Sequence, residues 1–399
     1  MTLAGTQTAE QVHLEPSVAR PTVAHVMRAY LAPTETFVLN QMASLRRHRP
    51  VVVAHHRRPE TEAWLREGAI ALEQLPGSVR RLEALAYRTA RVALPTGNAV
   101  LAAYVRDQDA RLLHFHFLTD ARFMAGVHRR TGLPAVVSGY GYDVSWFPLQ
   151  WHGLGRRYLL PVFDRVDCVL AMSDDMRRDI CALGCPEHKV LVHYYGTDTA
   201  RFRHPERVYE TDGPPAILLM GRLEAKKGHE FLLQALRRVD RRGVGFRVVF
   251  VGDGALRDDL ERIVAAEGLQ DRVVFTGHVP YGSTAHLAHL RAAHVFAHPS
   301  VTVDGHKEGI PGTIVEAMAS GLPVVATYHA GIPAVVTHGR EGLLVPEHDV
   351  DALADALEAL IDDAALRQRL GRAAARRATE SLDLHARTAV LERVYDRWT

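Results

Sequence analysis

Glu308-Gly309-Ile310-Pro311-Gly312-Thr313-Ile314-Val315-Glu316-Ala317-Met318-Ala319-Ser320-Gly321-Leu322-Pro323 sets two carboxylates eight residues apart around a turn rich in glycine and proline. Gly312 and Thr313 can open a helix there, and the first N–H groups of a helix lack intrahelical partners and suit an anion such as a phosphate. Glu316 then lies about one turn into the helix, on the ligand side, where a carboxylate accepts hydrogen bonds from a ribose diol. Glu308, on the loop, is placed to reach sugar hydroxyls. Gly309 and Ile310 lie between them and join the candidate ligand-binding set. The plainer alternative is two surface glutamates beside a loop. A β-rich run, Pro323–Ala326, follows directly after Gly321, so the order is loop, helix, strand.

Working outward, the same order recurs along the chain. Strands are expected at Val23–Met27, Val51–Ala54, Leu112–Phe117, Ala135–Ser138, Cys168–Met172 and Val190–Tyr194, with helix-like stretches between most of them. A second series follows at Ala216–Met220, Arg247–Val251, Val273–Thr276, Val295–His298, Pro323–Ala326 and Gly342–Val345. Short apolar runs separated by helices indicate parallel sheets covered on both faces. Two series imply an α/β chain of two doubly wound, Rossmann-like domains facing across a cleft. Residues 197–215, with Pro205, Asp212, Gly213, Pro214 and Pro215, read as the linker, and 1–20 as a polar, poorly ordered arm. Residues 350–379 and 384–397 read as helices.

Two further pieces of the C-terminal half point at the same chemistry. The strand Ala216–Met220 runs into Gly221-Arg222-Leu223-Glu224-Ala225-Lys226-Lys227-Gly228, where Arg222 and Lys227 flank a helix start. A diphosphate is a suitable anion for that arrangement, and surface basic residues are the plain alternative. Val248-Val249-Phe250-Val251-Gly252-Asp253-Gly254 ends a strand in a turn that lets a ligand approach the backbone, or is an ordinary strand-to-helix turn.

In the N-terminal half, Leu112-Leu113-His114-Phe115-His116-Phe117 alternates with period two, so both histidines share one face. A His-x-His pair can start a metal site, but no clear set of further ligands appears, and a strand histidine is more often structural. Ser138-Gly139-Tyr140-Gly141-Tyr142-Asp143 follows a strand; Asp143 is either a contact for sugar or acceptor or a cap for its own turn. Near the first strand stands Pro33-Thr34-Glu35-Thr36-Phe37, where Thr34 or Thr36 can cap a helix and Glu35 faces the cleft. Asp107-Gln108-Asp109 has a metal-binding look, yet it precedes its strand and reads as a solvated loop. Arg80, Arg81, Arg88 and Arg91 among Leu82, Leu85, Ala86 and Tyr87 offer either a basic amphipathic face at a membrane or ordinary packing.

Composition narrows the classes. The chain has 399 residues, 47% hydrophobic and 24% charged, with net charge +2. No apolar run approaches the ~20 residues that span a bilayer. The N-terminus lacks the order of a signal peptide. Three cysteines, Cys168, Cys181 and Cys185, suit a reducing compartment better than zinc. A cytoplasmic protein is expected, with a peripheral site at the inner membrane face as the alternative. The basic bias of the first 130 residues, 17 Lys+Arg against 11 Asp+Glu, is mild, and nucleic acid is not an expected partner. A dehydrogenase is disfavoured, because no Gly-x-Gly-x-x-Gly follows the first strand.

The Glu-x7-Glu segment, Gly-Arg-Leu-x3-Lys-Gly and Val-Gly-Asp-Gly resemble, in type and order, glycosyltransferase family 4. Gly331-Ile332-Pro333 and Gly339-Arg340-Glu341-Gly342-Leu343-Leu344-Val345-Pro346 add to the likeness, which covers roughly residues 20–399. The resemblance implies the GT-B fold: an N-terminal acceptor-binding domain over 21–200, a C-terminal nucleotide-sugar domain over 215–380, and a C-terminal helix over 381–399 packing back on the N-domain. It implies that Arg222 and Lys227 hold the donor diphosphate, that Glu316 binds the donor ribose and Glu308 the donor sugar. Gly221, Gly252, Gly309, Ile310, Gly312 and Thr313 complete the donor site, with base contacts near His278–Pro280, including Val279. His116 takes the place of a histidine near the reaction centre, with His114 as the register alternative. Tyr140 stands where many members carry histidine. The Pro-Thr-Glu-Thr-Phe turn is similar to a branch linked with exopolysaccharide assembly, with Glu35 on the acceptor side. The implied activity is retaining transfer of a hexose or N-acetylhexosamine, without metal or other cofactor, from a UDP-sugar to a saccharide or lipid-linked saccharide. Rivals are glycosylation of a small metabolite, an epimerase or phosphorylase of the same fold, and a non-catalytic nucleotide-sugar binder.

Overall fold

The computed structural model describes residues 20–30, 35–56, 70–71, 77–90 and 94–399. Most of the N-terminal arm, Thr34 and Arg91 lie outside the described residues, as do the side chains of Arg80, Tyr87 and Arg88.

Among the described residues, thirteen strands make two parallel sheets. The first holds β1 (Thr22–Ala29), β2 (Arg49–His56), β3 (Ile70–Ala71), β4 (Ala110–His116), β5 (Ala135–Ser138), β6 (Cys168–Ala171) and β7 (Val190–Val192), in the order β3-β2-β1-β4-β5-β6-β7. The second holds β8 (Ala216–Met220), β9 (Arg247–Val251), β10 (Val273–Phe275), β11 (Val295–His298), β12 (Val324–Thr327) and β13 (Gly342–Val345), in the order β10-β9-β8-β11-β12-β13. Each strand expected from the apolar runs is present. The two-residue β3 was not foreseen, because Ile70-Ala71 is too short to stand out as a pattern. In both sheets the order reverses once, beside β1 and β4 and beside β8 and β11. Such switch points leave a crevice beyond the carboxyl ends of the strands.

The inner strands are buried on both faces. Val23, Ala24, Val26, Leu112, Leu113, Val136, Val137 and Val169 are fully covered in the first sheet, as are Ile217, Leu219, Val248, Phe250, Val295 and Val325 in the second. Burying an aliphatic side chain contributes about 1.5–3 kcal/mol, so these runs fix which segments become strands.

The chain passes between the domains twice, at neighbouring places. Thr197 forms an isolated parallel bridge with Asp383, and Thr199 Oγ1 donates to Asp383 Oδ2 at 2.8 Å. The stretch expected to be helical over 350–379 is two helices, Val350–Asp362 and Ala364–Ser381. Asp363 breaks them and caps the second by accepting from Leu366 N at 2.8 Å. The last helix, Leu384–Tyr395, returns to the first sheet and packs Leu391, Val394 and Tyr395 against Val23, Leu112, Val136 and Leu170. Glu392 Oε1 anchors it by accepting from the backbone N–H groups of Arg46, Arg47 and His48 at 3.0, 2.6 and 3.1 Å.

A buried arginine in the linker sets the helix that carries Glu316. Arg207 donates to the carbonyls of Ser320, Ala293 and Leu290, each at 2.6 Å. These oxygens close the helices Gly312–Ala319 and Thr284–Ala292, where a cation is favoured.

Candidate active site

The strand ends of both domains open onto one cavity of about 890 Å³, which suits a ligand larger than a single sugar. Met220 at the end of β8, Gly221 and Arg222 after it, and Gly252 and Asp253 after β9 line its C-terminal side. His116 and Phe117 after β4 and Arg28 and Ala29 at the end of β1 line the other.

The C-terminal wall is built on charge. Lys227 ends a short 3-10 turn, Ala225–Lys227, and its Nζ donates to Glu308 Oε2 at 3.1 Å. Lys226 Nζ lies 3.4 Å from Glu308 Oε1 and 3.0 Å from His306 Nε2. Burial alone would push the Glu308 carboxyl up, but the Lys227 and Lys226 ammoniums reverse that and hold it at about 2. Burial lowers the Lys226 pKa, with Glu308 opposing. Glu308 is therefore a fixed anion that holds two cations at the mouth of the helix Gly312–Ala319. Its backbone is also fixed: Glu308 N donates to His329 Nε2 at 2.9 Å, and His329 Nδ1 is 2.7 Å from Glu347 Oε1. Since Nε2 accepts, the ring proton sits on Nδ1 and is donated to Glu347.

Glu316 lies on the same helix, 5% exposed, and lines the cavity with Gly312 and Thr313. Gly309, Ile310, His278 and Val279 line it too. Two glycines have no substitute here. A Cβ on Gly252, at φ +140, would lie 1.9 Å from the Gly221 carbonyl oxygen, so the β8 and β9 ends approach one another more closely than any other residue allows. A Cβ on Gly309 would meet the Tyr140 carbonyl oxygen at 2.8 Å, where the Glu308 loop rests on the N-domain. Arg222 lines the cavity but is 57% exposed, and its guanidinium pairs with Glu224 at 2.8 Å. Lys227 therefore meets Glu308 directly, while Arg222 sits at the rim.

The N-terminal wall is built on neutral rings. His25 on β1 stands beside His114 on β4 in register. His25 Nδ1 is 3.0 Å from His116 Nε2, and His116 Nδ1 is 2.8 Å from the Tyr140 hydroxyl. His114 is held by Tyr395 Oη at 2.5 Å and Ser138 Oγ at 2.8 Å. Burial, then His48, lowers the His25 pKa to about 3. Burial, then neighbouring imidazoles, holds His114 and His116 well below their usual value. The rings are uncharged at ordinary pH. His25, His114 and His116 bring ligand-capable nitrogens within 4.8 Å of one another, so His25 is a third member that the His-x-His reading lacked. Every ring nitrogen but His25 Nε2 already has a hydrogen-bond partner: His25, His116 and Tyr140 form one chain, while His114 beside them is tied to Tyr395 and Ser138. Of the two register alternatives, His116 lines the cavity and His114 does not.

Family models match both halves: Glycosyltransferase Family 4 over residues 34–201 and Glycosyl transferases group 1 over 214–363. A GDP-mannose-dependent mannosyltransferase of Corynebacterium glutamicum, acting on monoacylated phosphatidylinositol monomannoside, is 30% identical over 72% of this chain and 76% of its own. The chain belongs to glycosyltransferase family 4. A colanic acid biosynthesis glycosyltransferase, WcaL of Escherichia coli K12, is 40% identical, but that match spans about half of each chain, 50% of this one and 48% of the relative. The structure of Anabaena HepE in complex with UDP and glucose superposes with a TM-score of 0.75 at 19% identity, covering 95% of this chain and 100% of that one, a likeness of fold.

Of the two expected acceptor-side residues, Glu35 lines the cavity and Asp143 does not. Asp143, left open between a contact for sugar or acceptor and a cap for its own turn, is fully buried: Oδ2 accepts from Leu118 N at 2.7 Å and Oδ1 from Tyr140 N and Gly141 N at 3.0 and 3.2 Å. One oxygen shapes its own loop and the other ties that loop to the helix start after β4, and Asp143 does not line the cavity. Glu35 lines the cavity and occupies the N-cap position of the helix Thr36–Ala43, without a side-chain cap bond. Thr36 is the first residue of that helix and does not cap it. Asp107 ends a helix and Asp109 pairs with Arg111 at 3.0 Å in solvent, as a loop would.

The motifs did not single out Asp120, Lys226, His306 or His286, all of which line the cavity. Asp120 is 6% exposed and accepts from Arg28 N at 2.7 Å. Burial pushes its carboxyl up to about 6, against the pull of Arg28. Its signal was an acid four residues past the strand histidine, in the turn where β4 meets its helix.

Proposed function

We propose that the chain transfers a hexose or N-acetylhexosamine from a nucleoside-diphosphate sugar to a hydroxyl of a saccharide or lipid-linked saccharide, with retention and without a metal. The observation that carries this is one cavity lined by Lys227, Glu308, the helix start at Gly312–Thr313 and Glu316 on one side and His116 on the other. In this reading Lys227, Arg222 and the free N–H groups at Gly312–Thr313 stabilise the leaving diphosphate electrostatically. Glu316 takes the ribose and Glu308 the donor sugar. His116, held between His25 and Tyr140, presents a neutral ring to the donor sugar. Glu308 is a positioning anion, because a carboxylate held at about 2 by two ammoniums is a poor proton acceptor. Attack comes on the same face as departure, with a donor phosphate oxygen taking the acceptor proton.

UDP-sugars are the first donors to try. GDP-mannose is a second reading, favoured by the relative named for it that matches 72% of this chain. The choice of saccharide acceptors is supported by relatives named for colanic acid and amylovoran biosynthesis. No helix among the described residues is long and apolar enough to cross a membrane. Peripheral contact through the N-domain remains part of the proposal, supported by Leu82 and Leu85, 58% and 57% exposed on the helix Gly77–Ala90 beside Arg81. A cytoplasmic location belongs to the same proposal.

The test is incubation with a panel of UDP- and GDP-sugars and glycan acceptors, with and without a chelator, read by mass spectrometry. A new glycoside of unchanged anomeric configuration, formed at the same rate under chelation, is the expected result. An altered sugar without transfer points to an epimerase, and binding without turnover to a non-catalytic binder. A requirement for added magnesium defeats the metal-independent reading.

A further inference from the structure

Glu316 has a neighbour that no motif assigns. His286 lies on the helix Thr284–Ala292, whose first residue follows Ser283; Ser283 Oγ accepts from His286 N at 3.2 Å. The His286 side chain turns back, and its Nδ1 accepts from the backbone N–H of Gly282 at 2.9 Å. The bond is like the return half of a capping box displaced by one residue, since it reaches Gly282 and not the N-cap Ser283, with imidazole in place of the usual glutamate. An accepting Nδ1 carries a lone pair, so the proton of the neutral ring is on Nε2.

That Nε2 faces Glu316 Oε2 at 3.1 Å. The present angle makes no hydrogen bond, and both atoms are fully covered with no other partner among the described residues. Each is therefore the natural partner of the other, and a small turn of the ring joins them. The ring is held between Phe202 and Tyr281, at centroid distances of 5.4 and 5.7 Å. Arg201 steadies the same turn by donating to Gly282 O at 2.6 Å. Arg201 and Phe202 belong to the short helix Thr199–Phe202 in the interdomain linker. With Oε2 covered and the residue lining the cavity, Oε1 is the oxygen that meets a ligand.

We propose that His286 is a positioning residue for the nucleotide ribose: its Nε2–H holds Glu316 Oε2, leaves Oε1 turned to the ribose diol, and so sets how strongly the site prefers a ribonucleotide over its deoxy analogue. The inference rests on the reading of Glu316 as the ribose ligand. A covered carboxylate oxygen without a donor is costly, and a carboxylate free to rotate accepts from a diol less well.

The experiment is calorimetric titration of UDP or GDP, whichever binds, and of its 2′,3′-dideoxy counterpart, into wild type, His286→Phe, His286→Gln, Glu316→Ala and the double variant His286→Phe/Glu316→Ala. The ratio of the two affinities is read within each protein, so partial loss of folded protein does not distort it. Wild type should prefer the ribonucleotide by about tenfold or more, the worth of one hydrogen bond to a charged group. His286→Phe should lose most of that ratio, and His286→Gln, which still carries an N–H donor, should recover part of it. Glu316→Ala should bring the ratio near one, and the double variant should go no further. A His286→Phe protein that keeps the wild-type ratio overturns the proposal while leaving Glu316 as the ribose ligand. A Glu316→Ala protein that keeps it overturns the Glu316 reading itself, and this proposal with it.

Discussion

The two walls of the cleft handle polar groups in opposite ways. On the C-terminal wall, Lys226, Lys227 and Glu308 keep their charges under cover by pairing at 3.1–3.4 Å, and a carboxyl is driven down to about 2. On the N-terminal wall, His25, His114 and His116 shed theirs, and Asp120 is driven up to about 6. Burial acts in the same sense on both walls by disfavouring charge; partners decide the outcome. A wall of paired charges suits a ligand that brings charge, such as a diphosphate. A wall of neutral rings around Asp120, with Arg28 and Glu35 also in the lining, suits a ligand of hydroxyls.

The contrast can be broken most decisively at Lys227. Lys227→Ala should lower kcat/KM by about 10²–10³-fold while thermal melting stays within a few degrees of wild type, because it removes charge aimed at the leaving group. Near-normal turnover would remove the diphosphate from this wall.

Glu308→Gln is next. It leaves Lys226 and Lys227 without their shared anion, so a stability loss of about 3 kcal/mol at neutral pH is expected, together with a drop in kcat. The sign follows from the depressed carboxyl. Its stabilisation is present above the unfolded value of about 4.3 and is lost as pH falls through about 2. Denaturant melts of wild type and variant should therefore begin to converge below about pH 4 and meet near about pH 2. A gap that persists at low pH would mean that the loss is one of packing.

Asp120 sharpens the comparison from the other side. If its carboxylate meets the acceptor, activity should fall as pH drops through about 6, and Asp120→Asn should flatten that limb and cost about tenfold in acceptor kcat/KM. Its raised pKa means that ionisation opposes folding, from about pH 4 upward and in full above about 6. Asp120→Asn should therefore raise the melting temperature at pH 8 and leave it nearly unchanged below pH 4. An acid limb that survives in the variant assigns the titration to another group.

Arg222→Ala should have the smallest effect, about fivefold to tenfold in donor KM, because the guanidinium is 57% exposed and solvent screens it. A loss as large as that of Lys227→Ala would show that Arg222 swings inward when donor binds.

The fold was legible because apolar runs such as Val248–Val251 and Val295–Ala297 repeat at βα spacing. The Glu308–Glu316 turn was legible because its chemistry is local: two acids, glycines and a helix start within one short stretch. What the sequence hid is what the sheets assemble from a distance. His25 is 91 residues from His116, and His286 is 30 from Glu316; only the strand order brings each pair together. Asp143 stayed open between two roles because a carboxylate at a strand end reads alike whether it points to a ligand or, as here, accepts three backbone N–H groups. Asp120 was passed over because an acid at the start of a helix also serves as an ordinary partner for the helix dipole.

The central claim is that Lys227, Glu308 and Glu316 form one grip for a nucleoside diphosphate. Calorimetric titration of UDP and GDP into wild type, Lys227→Ala and Glu316→Ala tests it without any need for the acceptor. Micromolar binding of one nucleotide to wild type, weakened about tenfold or more in each variant, is the predicted result. Equal affinity in all three proteins would contradict it.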